Sequence, residues 1–157
     1  MSAVPLGREQ PVRLLLDVNV WIALLDDAHV HNAQALVLFQ TPGLCIATCP
    51  LVENGVLRIL DMPFYSNREA VGFQPVRQAM RLACADVDHC FWQDDLSLIH
   101  DEAPDWSRVY GHNQITDLYL LALAVRHGGA LATFDHRVAL SAVCGACLLY
   151  TSDAADD

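Results

Sequence analysis

The chain has 157 residues, 54% of them hydrophobic, and a formal net charge of −10 at neutral pH. That length and apolar content suit one domain with a sizeable core and exclude a disordered chain, and no apolar run reaches the roughly 18 residues that a membrane span needs. The surplus of acid argues against a purely electrostatic nucleic-acid binder, although every basic residue is arginine, the better bidentate phosphate ligand, and acids gathered round a cation need not repel a polyanion.

Residues 1–12 read as an N-terminal extension without the apolar stretch of a signal peptide, so a cytoplasmic location is expected. Arg13 to Leu16 then reads as a buried strand and Val18 to Leu25 as a short first helix. His29 to Gln40 reads as a second helix, stopped by Pro42-Gly43. Leu44 to Thr48 is a second buried strand, and Pro50 suits the first turn of a helix running to Leu60. Met62 to Asn67 is a loop, followed by a helix from Arg68 to Ala85 with Pro75 near its start or at a kink. Asp88 to Trp92 is a short third strand, and Asp94 to Gly111 is polar, aromatic and irregular. Thr116 to His127 is a strong helix ended by Gly128-Gly129, Ala130 to Thr133 is a fourth strand, and Val138 to Val143 is a short helix. Strands alternating with helices predict an α/β fold around a mostly parallel sheet.

The last eleven residues, CLLYTSDAADD, break the pattern where one more strand should follow. They resemble the conceptual translation of a sequencing-library adapter. Residues 147–157 are therefore expected to be a non-native tail that replaces the last strand, leaving 13–146 as the domain. The six cysteines include one C-x-x-C, Cys144 to Cys147, without a second pair or spaced histidines, and read as buried free thiols. His29 and His31 face different sides of the second helix on this reading, and no histidine is expected to bind a metal.

Four acids fall at the carboxyl ends of the expected strands, where parallel sheets carry their functional groups. Asp17 ends the first strand, Glu53 lies one turn into the helix after the second, Asp117 opens the strong helix and Asp135 follows the fourth strand. A helix of about 11 residues carries the chain roughly 16 Å from that edge, and about five strand residues bring it back by as much. Each acid has an ordinary use as a helix cap, a dipole partner or a turn former. Gathered at one edge they repel, and no lysine exists to neutralise them. A hard divalent ion, Mg²⁺ or Mn²⁺, suits such a cluster of oxygen ligands. Asn19, Asn113, Thr116 and Thr133 stand beside the acids as supporting polar groups, with Thr116 equally suited to be a helix N-cap and Thr133 to be an ordinary strand residue.

The segments DVNVWIALL at Asp17, CPLVENGVLRIL around Glu53, FWQDDLSL from Phe91 and GHNQITDLYLLALAVRHGGALATFDHR from Gly111 resemble the PIN-domain family, and within it the VapC-type toxins of bacterial toxin–antitoxin systems. The resemblance spans Arg13 to Ala146. It implies a PIN-like α/β/α sandwich with four to five strands, and a metal-dependent endoribonuclease. Asp17, Glu53, Asp117 and Asp135 become its catalytic acids, and Asp17, Asp117 and Asp135 its metal ligands. It also implies an RNA substrate, a homodimer and a small antitoxin that lies in an apolar groove and sends a basic side chain into the acidic site. The alternative is a degenerate PIN module that binds RNA or a protein without cutting. Haloacid-dehalogenase-like phosphatases and receiver domains also place an aspartate after the first strand, but both need a lysine that this chain lacks. For RNA contact, Arg77 and Arg81 stand one helical turn apart on one face and are the first candidates.

Overall fold

A computed structural model of the protein describes residues 10–62 and 72–150. The elements are β1 (Leu14–Leu16), α1 (Val18–Leu25), α2 (Asn32–Phe39), β2 (Cys45–Thr48), α3 (Pro50–Leu60), α4 (Phe73–Ala85), β3 (Asp88–Phe91), α5 (Ile115–Arg126), β4 (Ala130–Thr133) and β5 (Leu148–Tyr150). All five strands are parallel, in the order β3-β2-β1-β4-β5. From β1 the chain steps outward to β2 and β3, then returns through α5 to the other side of β1. Right-handed crossovers in opposite directions put α1 to α4 on one face of the sheet and α5 on the other. The reversal falls between β1 and β4, and the crevice at the carboxyl ends of two such strands is where open α/β sheets place their chemistry.

The central strands are covered on both faces, which is why they read as continuous apolar runs rather than alternating ones. Leu15, Leu16, Ile46, Ala47, Leu131 and Ala132 are sealed from solvent. Trp21, Val52 and Val56 fill the layer under α1 and α3, and α5 buries Leu118, Leu120, Leu121 and Leu123. Two glycines set how closely the layers approach. A Cβ on Gly129 would lie 2.5 Å from the Arg13 carbonyl oxygen and 2.7 Å from the Trp92 ring, and one on Gly55 would lie 2.8 Å from the Val18 side chain. Among the described residues, no helix is long and apolar enough to cross a membrane.

Several expectations are corrected. The second helix starts at Asn32 rather than His29, because Asp26 to Asn32 close a turn with their own hydrogen bonds: the His29 amide donates to the Asp26 carbonyl, and the Asn32 side chain to the Ala23 carbonyl. His29 and His31 therefore do not occupy opposite sides of a helix; their rings lie 5.8 Å apart, and His31 stacks on Phe134 at 4.5 Å. Between Val138 and Val143 only a 3-10 turn forms, at Leu140–Ala142. The fourth helix begins at Phe73, just after Gly72 with φ +86°, and Pro75 sits in its first turn. The earlier start at Arg68, and the loop from residue 63 onward, lie outside the described residues. All six cysteines are free, but only Cys49 is fully buried, while Cys144 and Cys147 are exposed. The final strand position is filled from within the 147–157 segment: Leu148 pairs with Leu131 and Tyr150 with Thr133.

Candidate active site

Asp17 follows β1 and caps α1. Its backbone is extended, and its Oδ1 accepts from the Val18 amide at 2.6 Å. Its other oxygen, Oδ2, accepts from the Thr133 hydroxyl at 3.0 Å. The side chain is only 4% exposed, so a carboxylate at the end of an apolar strand is both cap and buried acid. Burial pushes its carboxyl above the usual range, the bonds from Thr133 and Val18 pull it down, and the charge of Asp135 pushes it up again.

Asp117 is the third residue of α5, where an acid complements the helix N-terminus. It is half-buried, and its carboxyl is pushed up from 3.8 to about 7 by burial, then by the charges of Asp17 and Asp135, with Arg137 opposing. Asp135 lies just past β4. Arg137 grips it with a fork, Nε to Oδ1 and Nη2 to Oδ2, both at 3.0 Å. The Arg137 amide adds a third bond at 2.8 Å. That grip holds the Asp135 carboxyl below its usual range. The Thr133 hydroxyl ties the first and last acids together, donating to Asp17 and accepting from the Asp135 amide at 3.0 Å. Thr133 is therefore more than an ordinary strand residue.

Asp117, Asp135 and Arg137 share a cavity of about 240 Å³ with Asn113, Gln114 and Tyr110. Asn113 is thus at the rim, whereas Asn19 is exposed on the second residue of α1. Thr116 is not the N-cap of α5; Gln114 holds that position, without a side-chain capping bond, and Thr116 is an exposed second residue. Sequence reasoning passed over Gln114. Its Oε1 accepts from the Tyr110 amide at 2.8 Å and its Nε2 donates to the Arg137 carbonyl at 3.2 Å, which fixes the loops on either side of the acids. Nothing in the sequence marks a glutamine for that task, since both partners arrive through the tertiary fold.

Glu53 is placed one strand further along the edge. It accepts from the Thr48 hydroxyl at 3.2 Å, and Thr48 also bonds the His89 ring at 2.8 Å. Asp17 responds to the charge of Asp135, and Asp117 to those of Asp17 and Asp135, while Glu53 acts on Cys84 and His89. Among the described residues, no three His, Cys, Asp or Glu side chains form a group arranged to hold a metal ion. The donor chemistry nonetheless suits a hard cation: Asp117 and Asp135 line one cavity, Asp17 is near enough to couple to both through charge, and the carboxyls of Asp17 and Asp117 are raised in a way that a positive charge would relieve. Asp135 would have to leave the Arg137 fork to join them.

The PIN domain family matches residues 14–145. Among curated relatives, Ribonuclease VapC44 of Mycobacterium tuberculosis is 39% identical over 137 residues, covering 86% of this chain and 94% of the relative. Ribonuclease VapC39 of the same organism is 42% identical over 138 residues, covering 83% and 94%. Among solved structures, that of VapBC2 from Rickettsia felis bound to a DNA fragment from its promoter aligns with a TM-score of 0.54 at 11% identity, covering 88% of this chain and 98% of that one. At that identity the likeness is one of fold.

Proposed function

The chain belongs to the PIN-domain family, and on that premise we propose that it is a VapC-type endoribonuclease, the toxin of a toxin–antitoxin pair, acting in the cytoplasm with Mg²⁺ or Mn²⁺. The observation that carries the reading is geometric: Asp117 and Asp135 line one cavity, and Thr133 ties Asp17 to the Asp135 backbone, while burial and the two neighbouring aspartates raise Asp117 to about 7 in spite of Arg137. A half-buried site with more carboxylates than positive groups gains from taking up a cation. Asp17, Asp117 and Asp135 would hold the ion; Thr133 orients Asp17 and fixes the Asp135 backbone. A divalent ion supplies an activated water and shields charge on the scissile phosphate. A carboxylate of the cluster would accept the proton that such a water gives up. In-line attack by water would leave a 5′-phosphate and a 3′-hydroxyl, without the 2′-hydroxyl as nucleophile. The antitoxin would cover the apolar side chains exposed around α2, of which Val30 is 81% and Val37 68% exposed, and a homodimer is expected as the working unit.

The test is cleavage of single-stranded RNA by the purified chain with Mg²⁺ or Mn²⁺ and with chelator, alongside Asp17→Asn and Asp117→Asn. Cleavage that needs the ion, yields 5′-phosphate ends and falls about a hundredfold or more in either variant is expected, the scale for losing one charge-stabilising group. Equal cleavage in chelator would end the metal mechanism. RNA binding without cleavage in any divalent ion would favour the non-cutting PIN module.

A further inference from the structure

A second and larger cavity, about 540 Å³, opens between α3, α4 and β3. Its floor is polar. With the His89 hydrogen on Nε2, the Thr48 hydroxyl accepts from the ring and donates to Glu53, leaving the second Glu53 oxygen free of hydrogen bonds among the described residues. Its walls include the apolar side chains of Leu57 and Met80, and its rim carries Arg77 and Arg81. Among the described residues Arg77 and Arg81 have no ion pair; Arg58 has none either, but it does not line this cavity. Arg13, Arg108, Arg126 and Arg137 are ion-paired with Asp88, Asp105, Asp95 and Asp135. Among the described residues Arg81 has no hydrogen bond or ion pair, and Arg77 has only a 3.4 Å bond to Gln74. Two unpaired guanidinium groups one turn apart, in a chain of net charge −10, form a place for an anion. Glu53 on the floor would repel a bare anion, so the deeper part suits a neutral ring that presents hydrogen-bond donors.

The cavity also adjoins the acidic site. Thr48 ends β2, the strand beside β1, and Asp17 follows β1. Gly55, two residues after Glu53, lies against Val18, the residue after Asp17. A single strand of RNA crossing the edge of the sheet would pass from one to the other.

We propose that this cavity seats one nucleotide of an RNA strand, with its phosphate between Arg77 and Arg81, its base against Leu57 and Met80, and the edge of that base toward Glu53 and His89. This rests on the ribonuclease reading for the identity of the polymer, but its test does not require cleavage. A volume of this size is in the ordinary range for a small-ligand site, and flipped-out bases read at their edges are the usual mode for single-stranded RNA.

The test is a titration of the whole chain, followed by NMR, with each of the four 5′-mononucleotides and with inorganic phosphate, none of which contains a bond to cut. Mononucleotides should shift the Thr48 and His89 signals as well as those of Arg77 and Arg81; phosphate should shift only the arginines. In parallel, a short RNA is bound in chelator across a salt series by the wild type and by Arg77→Gln/Arg81→Gln, whose sites are exposed and whose fold is checked by circular dichroism. The double variant should bind at least tenfold more weakly, with a salt slope shallower by about 0.7, the loss of one phosphate contact on a single strand. Tighter binding of mononucleotide than of the RNA would make the ligand a free nucleotide and overturn the proposal. So would an unchanged slope, or RNA binding that leaves Thr48 and His89 unmoved. RNA bound in the cavity but never cut would uphold the subsite and defeat only the nuclease reading.

Discussion

Replacing Asp117 by Asn should make the metal-free protein more stable, and only above a certain pH. The Asp117 carboxyl is raised from 3.8 to about 7 in the folded chain. The folded state therefore binds this proton more tightly than the unfolded state does. Its contribution is fully favourable below the unfolded pKa near 4, erodes as pH rises through the window from about 4 to about 7, and is lost beyond it. A gap of about three units would be worth about 4 kcal/mol if the group were wholly shielded. Asp117 is only half-buried and opens onto a cavity, so screening cuts this to about 2 kcal/mol. Asn has the same shape and no charge to lose. In chelator at pH 8, Asp117→Asn should exceed the wild type by about 2 kcal/mol, or about 6 °C in Tm for a chain of this size. At pH 4.5 the two should nearly coincide. Urea unfolding followed by tryptophan fluorescence, with Trp21 fully buried as reporter, measures both. Adding Mn²⁺ at pH 8 should reverse the order, because the ion binds the folded carboxylate cluster and stabilises by mass action. A stability gap that stays constant from pH 4.5 to 8 would refute the claim that burial and clustered charge raise this carboxyl.

Thr133→Val keeps the shape of a fully buried side chain but removes the hydroxyl between Asp17 and Asp135, so it should cost about 1–3 kcal/mol in urea unfolding and lower RNA cleavage, while Thr133→Ser restores much of both. Gly129→Ala forces a methyl against the Arg13 carbonyl and the Trp92 ring; thermal unfolding should show a loss of about 1–3 kcal/mol. Leu131→Ala hollows the central strand β4 and should cost about 2–5 kcal/mol with no change in the pH profile of the remaining stability. Arg137→Gln frees the Asp135 carboxylate from its fork and removes a positive charge from the crevice, so calorimetric titration should find Mn²⁺ bound more tightly than by the wild type.

Much of the fold was legible because local signals and tertiary demands agreed. Val18–Leu25, Pro50–Leu60 and Ala130–Thr133 form as read, each an apolar run bounded by a cap, a proline or a glycine pair. The errors fall where a segment is held by bonds the sequence does not advertise. The turn from Asp26 to Asn32 displaces the first turn of a helix that periodicity alone would extend. The Val138–Val143 segment is too short to sustain an α-helix and tightens to one 3-10 turn.

The order of residues by itself determined that a parallel sheet would form and that Asp17, Asp117 and Asp135 would return to its carboxyl edge, because rise per residue and element length leave little freedom in where each chain segment ends. Only the tertiary structure decided how those acids relate to their neighbours. It set Thr133 between Asp17 and Asp135, turned Arg137 onto Asp135, and placed Glu53 beside Thr48 and His89 in the adjoining cavity. Those outcomes depend on burial and on contacts between residues far apart in the chain, and neither burial nor such contacts is written in any local run of residues.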